Sequence, residues 1–263
     1  MKFFLASFNR ASEGAISYLR KKLDEDNLLA YVPKNADYII AVGDRIETFN
    51  FVLYWFRKNK PIIHLWAGEI SQGTHDEVYR HSMTLMSMMQ LCTNETAKRR
   101  VDSLCSSVDK TPNAHVIGNV MLDDLQTDIS LVPNVPYSLI LYNPPTSLSK
   151  EEVLSEIEKI KFINCRQAKQ TIWIAPNGDK YSDLISPYVT HRTLSRPKFL
   201  GLLKHCNVFI TNSSSQYYEA PFVMDKPHII SIGERNKERE SKHAKMHQEN
   251  ATEAILNLLV NIK

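Results

Sequence analysis

What most limits the fold of this chain is a recurring pattern of short, unbroken apolar runs separated by helical stretches. Asp37 to Val42 reads DYIIAV, Pro61 to Trp66 reads PIIHLW, and Tyr137 to Tyr142 reads YSLILY. Thr171 to Ala175, Val208 to Ile210 and Ile229 to Ile232 repeat the theme. A segment apolar at nearly every position suits a strand covered on both faces, which is the environment of a parallel sheet. Between these runs lie Ser12 to Leu23, Ile46 to Lys58, Asp76 to Met89, Lys150 to Cys165 and Asn250 to Ile262, each with apolar residues at helical spacing. Strand and helix alternating in this way predict an α/β protein with parallel sheets.

The pattern breaks at Leu131-Val132-Pro133-Asn134-Val135-Pro136, and two prolines so close together predict a linker. The expected organisation is therefore two Rossmann-like lobes, residues 1–133 and 134–263, with the last helix closing the fold. The hydrophobic fraction of 43% and the charged fraction of 23% fit a globular chain of this kind. No apolar run approaches the roughly 18 residues of a membrane span, so no membrane partner is expected. The four cysteines Cys92, Cys105, Cys165 and Cys206 are scattered without a CxxC pair. That spacing predicts neither a zinc site nor a disulfide framework, and the expected setting is cytoplasmic. A net charge of +3 is too small for a dedicated nucleic-acid binder. The helix from Ile46 to Lys58 is rich in aromatics, with Phe49, Phe51, Tyr54, Trp55 and Phe56. Core packing is its expected use, and base stacking the alternative.

The densest cluster of chemistry-bearing residues runs from Phe199 to Arg239. It reads as helix, strand, the Ser-rich turn Thr211-Asn212-Ser213-Ser214-Ser215, a helix carrying Glu219, and a further strand followed by Arg235 and Arg239. Asn and Ser favour helix starts, and helix starts favour phosphate. Ligands of open parallel sheets bind beyond the carboxyl ends of strands. Hydroxyls, a carboxylate suited to ribose hydroxyls and arginines thus predict a nucleotide diphosphate site.

Several motifs, in order, resemble the UDP-N-acetylglucosamine 2-epimerase family in its hydrolysing branch. They are Asn9-Arg10-Ala11, Gly43-Asp44-Arg45, His64-Leu65-Trp66-Ala67-Gly68-Glu69 with Asp76 to His81, and Asn212-Ser213-Ser214 with Glu219 and Gly233-Glu234-Arg235. The resemblance implies a GT-B fold, with a ligand cleft between the lobes. It also implies that Ser213 and Ser214 hold the UDP phosphates, that Glu219 binds the ribose, and that Arg10 and Arg235 offset the diphosphate charge. Arg192 would neighbour the uracil or a phosphate. Asp44, Asp76 and Arg80 would face the sugar. The sequence departs from the family pattern where a second acid falls on Trp66 and a histidine falls on Asn143. The chain is also short between its first helix and Asp37, as if one or two βα units were missing.

Neither tryptophan nor asparagine exchanges protons at neutral pH, whereas epimerisation must remove a proton from C2 of the sugar. The expectation therefore moves to a metal-independent GT-B glycosyltransferase that passes a sugar from a UDP-sugar to an acceptor hydroxyl. That acceptor would extend to hydroxymethylated phage-type DNA, with Asp44, Glu69 or Asp76 as base. Two alternatives stand beside it: a retained hydrolysing epimerase, with His64, His75 or His81 as a shifted acid, and a catalytically degenerate sugar-nucleotide binder. No cofactor or metal is expected beyond the UDP-sugar substrate. The oligomeric state is left as monomer or homodimer.

Overall fold

A computed structural model describes residues 1–8, 10–71, 75–178, 180–226, 228–235 and 250–262, with the backbone alone at Arg10 and Ala11. It divides into two units. The first comprises Met1–Ile70, Asp76–Asp124 and the C-terminal helix, and the second is drawn from Leu125–Ala244 with Ser71 and His75.

The first unit is built on five parallel strands in sequential order: β1 (Phe3–Ala6), β2 (Tyr38–Val42), β3 (Ile62–Leu65), β4 (Met89–Cys92) and β5 (Ala114–Val116). Its helices are α1 (Arg10–Ala15), α2 (Ser17–Glu25), α3 (Ile46–Phe56), α4 (Asp76–Met86) and α5 (Glu95–Ser106). The apolar runs read as strands are strands, and β2, β3 and β4 are buried nearly throughout. One face packs Leu5, Ile40, Val42, Ile63, Leu65 and Leu91 against Leu19 and Leu23 of α2. The other packs Ala6, Ile39, Ala41 and Ile62 against Val52 of α3 and Met83 of α4. The long helix expected from Ser12 to Leu23 is interrupted at Ile16.

Leu29 makes a single parallel bridge to Phe3, through Phe3 N–H to the Leu28 carbonyl (2.8 Å) and Ala30 N–H to the Phe3 carbonyl (2.9 Å). This bridge uses the edge of β1 that β2 leaves open. The stretch β1–α2–Leu29 is thus a βαβ unit reduced to one bridge, at the point where the sequence is short.

The second unit holds β6 (Tyr137–Leu141), β7 (Gln170–Trp173), β8 (Val208–Thr211) and β9 (Ile229–Ser231), all parallel in the order β7-β6-β8-β9. α6 (Lys150–Asn164) covers one face through Val153, Ile157 and Ile160. α7 (Arg196–His205) covers the other through Leu200 and Leu203. α8 (Ser215–Tyr218) and α9 (Ala220–Val223) follow β8. The proline-rich stretch does not hang free, because Leu131 and Val132 pack on this second core. Past β7, a single parallel bridge joins Ile174 to His191.

The last helix, α10 (Ala251–Val260), belongs to the first unit, whereas the sequence reading grouped it with the second lobe. Ala251, Ile255 and Leu259 complete the core around Leu5 and Leu91. Asp123 fixes its start by accepting from Ala251 N–H (3.1 Å) and Thr252 N–H (2.6 Å).

Candidate functional site

Two groups of polar side chains sit at strand carboxyl ends, one in each unit. In the first unit the ends of β2, β3 and β4 lie side by side. Gly43 (φ +81°) turns the chain out of β2 and sets Asp44 there. Beyond β3, Trp66 (φ +67°) and Gly68 (φ +76°) turn the chain to Glu69. A Cβ on Gly68 would lie 2.2 Å from the Ala97 carbonyl oxygen, so the backbone passes α5 too closely for any side chain.

Arg80 organises this group from α4. It is 2% exposed, donates to the Glu69 carbonyl at 2.9 Å, and pairs with the carboxylates of Asp44 and Glu77. Burial works against its charge, but Asp44 and then Glu77 more than offset this, so its pKa is raised. The Glu69 carboxylate is itself buried and accepts from the Thr93 hydroxyl. Asn94 donates to Thr93 Oγ1 at 2.7 Å and caps α5 by accepting from Ala97 N–H at 2.9 Å. Asp76 opens α4, one turn before Arg80.

The three histidines weighed as a shifted acid have distinct settings. His64 is fully buried, with Nε2 3.0 Å from the Gly43 carbonyl and Nδ1 3.0 Å from Thr84 Oγ1. A carbonyl only accepts, so Nε2 carries the proton, and the Thr84 hydroxyl, with its single proton, lies 3.0 Å from two acceptors, Nδ1 and the Arg80 carbonyl. Burial lowers its pKa to about 4, which leaves His64 neutral and fixed, a brace for the Gly43-Asp44 turn. His81 lies 3.2 Å from Glu77, and His75 is exposed. Burial pushes the thiol of Cys92, at the end of β4, up to about 12, so it behaves as an apolar side chain.

In the second unit, Asn143 follows β6 and Asn212 follows β8. They are cross-linked: Asn143 N–H donates to Asn212 Oδ1 (2.8 Å) and Asn212 Nδ2 donates to the Asn143 carbonyl (2.7 Å). The Asn143 side chain accepts from Asn177 N–H (2.9 Å), and Arg235 reaches the Asn143 carbonyl at 3.3 Å. Asn143 is thus a brace between three strand ends, and its position is spent on structure.

The Ser-rich turn begins no long helix. α8 and α9 are one turn each, broken at Glu219 (φ −129°, ψ −52°). Pro221 lacks an N–H and its ring crowds the carbonyl four residues back, so one helix cannot run through it; it sits instead in the first turn of α9, where a proline is tolerated. Ser214 makes no capping hydrogen bond, and Ser213 Oγ instead accepts from Ser215 N–H at 3.3 Å.

Glu219 is 2% exposed and ion-paired with Arg196, itself only 13% exposed. The sequence reading missed Arg196 and named Arg192, which is exposed beside the His191 bridge. A signal for Arg196 existed. It is the first residue of α7, where the helix dipole disfavours a cation, so a specific anionic partner was to be expected. The Arg10 side chain and Arg239 lie outside the described residues. Among the described residues, no group of His, Cys, Asp and Glu is arranged to hold a metal ion.

A family model described as UDP-N-acetylglucosamine 2-epimerase matches residues 29–263. The chain is 26% identical over 231 residues to the GDP/UDP-N,N'-diacetylbacillosamine 2-epimerase (hydrolyzing) of Campylobacter jejuni, covering 80% of this chain and 59% of that protein. It is 28% identical over 230 residues to polysialic acid biosynthesis protein P7 of Escherichia coli, covering 77% and 56% respectively. It therefore spans under two thirds of the length of these relatives. Among solved structures, the UDP-GlcNAc 2-epimerase of Methanocaldococcus jannaschii in complex with UDP-GlcNAc and UDP superposes with a TM-score of 0.72 at 14% identity, covering 99% of both chains. The Neisseria meningitidis UDP-GlcNAc 2-epimerase bound to UDP-GlcNAc superposes with a TM-score of 0.70 at 13% identity, covering 100% of both. These likenesses establish the fold as GT-B.

Proposed function

Since the chain belongs to the UDP-N-acetylglucosamine 2-epimerase family, we propose that it is a hydrolysing 2-epimerase acting on a UDP-N-acetylhexosamine. The expected glycosyltransferase, with modified DNA as acceptor, is corrected: the family model and the similar curated proteins named as 2-epimerases point to epimerisation. Two departures, an acid replaced by Trp66 and a histidine replaced by Asn143, turn the expectation toward transfer. The observation that carries the present reading is the buried carboxylate of Glu69, three residues beyond Trp66, held by the Thr93 hydroxyl, while the Glu69 carbonyl accepts from Arg80, which also pairs with Asp44.

On this reading the nucleotide is held by the second unit, at the Ser213-Ser214 turn, Glu219 and Arg235. Acid–base work falls to the first unit. A carboxylate there takes the C2 proton as UDP leaves C1. Water then supplies the C1 hydroxyl, and a proton returns to C2 from the opposite face, so that UDP-GlcNAc and water give N-acetylmannosamine and UDP. Positioned acids and bases contribute roughly 10²- to 10⁴-fold each, which sets the effect expected of Glu69→Gln.

The test is incubation in D2O with UDP-GlcNAc and with the UDP-sugar of N,N'-diacetylbacillosamine. Deuterium at C2 of the released sugar is expected. Intact UDP-sugar after prolonged incubation would refute turnover. Asn143 favours a second reading, a sugar-nucleotide binder without turnover, because its side chain is committed to the Asn177 backbone. UDP affinity by calorimetry, lowered in Arg235→Ala but unaccompanied by product, would select that reading.

A further inference from the structure

The aromatic helix α3 is not spent on core packing alone. Thr48 and Val52 face inward, while Leu53, Tyr54 and Phe56 are 39%, 57% and 44% exposed. The following Arg57, Lys58 and Asn59 are all exposed. An ordinary surface helix carries polar residues on its outer face. This one ends in large apolar side chains followed immediately by cations.

The patch extends beyond α3. Lys60 Nζ donates to the Ala36 carbonyl, tying the end of α3 to the loop before β2, where Tyr31 is 71% and Val32 43% exposed. Lys34 in that loop is also exposed. Neither segment, 31–36 or 53–60, contains an acid. Both lie at the start of the strands, the end of the first sheet away from Asp44 and Glu69.

We propose that this surface of the first unit docks on an anionic lipid membrane. The chemistry suits that occupant. Aromatic rings settle at the headgroup level, aliphatic side chains enter the acyl boundary, and lysine and arginine reach the phosphates. Two other occupants fit less well. Nucleic-acid bases need free ring faces. Tyr54 and Trp55 meet edge-on at 5.3 Å, and one face of each already lies under a lysine, Lys58 over Tyr54 (6.0 Å) and Lys60 over Trp55 (5.9 Å). A second copy in a two-fold contact sets the patch against itself and brings its own cations together, while Asp24, which accepts from the Tyr31 hydroxyl, and Asp37, which accepts from Lys2 N–H, are already engaged. Docking is peripheral: α3 has 11 residues, and no helix among the described residues is long and apolar enough to cross a membrane.

The experiment is sedimentation of the whole chain with phosphatidylcholine vesicles, and with vesicles containing about one third phosphatidylglycerol, at low and high salt. Binding to the anionic vesicles alone is expected, with a blue shift of tryptophan fluorescence from Trp55. Arg57→Ala/Lys58→Ala should weaken it about thirty-fold, at roughly fivefold per lost cation near the surface. Leu53→Ser/Phe56→Ser should weaken it further, and all four positions are exposed, so circular dichroism of both variants should match the parent. The proposal is overturned by any of three results. These are no binding to anionic vesicles at low salt, equal binding by both variants, or a parent dimer that the same variants split while vesicle binding is absent.

Discussion

The state of His64 gives a quantitative test of the first unit's core. His64 is fully buried, its Nε2–H is committed to the Gly43 carbonyl, and burial lowers its pKa from 6.5 to about 4. Above the ordinary value neither the folded nor the unfolded chain protonates this ring, and its contribution to stability is constant. As pH falls through 6.5 the unfolded ring takes up a proton, while the folded ring does not until about 4. Stability attributable to His64 is therefore fully present above 6.5, falls between 6.5 and 4, and levels off below. At about 1.4 kcal/mol per pKa unit, the loss across that window is about 3 kcal/mol. The assay is urea denaturation of the parent and His64→Gln across the same range. Glutamine keeps a donor for Gly43 and an acceptor for Thr84 but does not titrate, so carboxylates common to both chains cancel in the difference. The parent should lose about 3 kcal/mol relative to the variant on acidification. A difference that stays flat within about 1 kcal/mol would show that His64 is hydrated or protonated in the native chain, and the brace on the Gly43-Asp44 turn would fall with it.

Arg80→Met should destabilise the first unit by roughly 3–5 kcal/mol in the same denaturation assay, because Asp44 and Glu77 lose a buried partner. A loss under about 1 kcal/mol would mean that water reaches the pair. Asp123→Ala removes both acceptors from the start of α10 and should cost about 1–2 kcal/mol, read as a lower Tm. An unchanged Tm would mean that α10 is held by its apolar face alone. Arg196→Met leaves Glu219 buried without its cation, and UDP affinity by calorimetry should fall at least about tenfold. Unaltered affinity would remove Glu219 from the nucleotide site.

The class of fold was legible because it rests on local pattern. Runs such as IIAV (Ile39 to Val42) and VFI (Val208 to Ile210) carry no polar residue to face water, so they require cover on both sides, and parallel α/β layers supply it. The turn glycines and the Asn212-Ser213 turn were legible for the same reason: the constraint lies within a few residues. An amphipathic helix, however, states that it has an apolar face and not which sheet that face will cover. α10 has the same pattern whichever unit it closes, and Asp123 with the Leu5 and Leu91 core decided the matter. The Ser-rich turn was read with a helix too long because Pro221 was not weighed against it. Arg196 and Glu219 lie 23 residues apart, and the Asn143–Asn212 brace spans 69. Such pairs exist only once parallel strands place their carboxyl ends together. Exposure is likewise a tertiary property: the composition of α3 is that of a core helix, and only its packing left Leu53, Tyr54 and Phe56 facing water. The sequence by itself determined which segments must be buried and where the chain must turn. The tertiary structure decided which charges meet and which apolar side chains are left over, because both depend on neighbours distant in the chain.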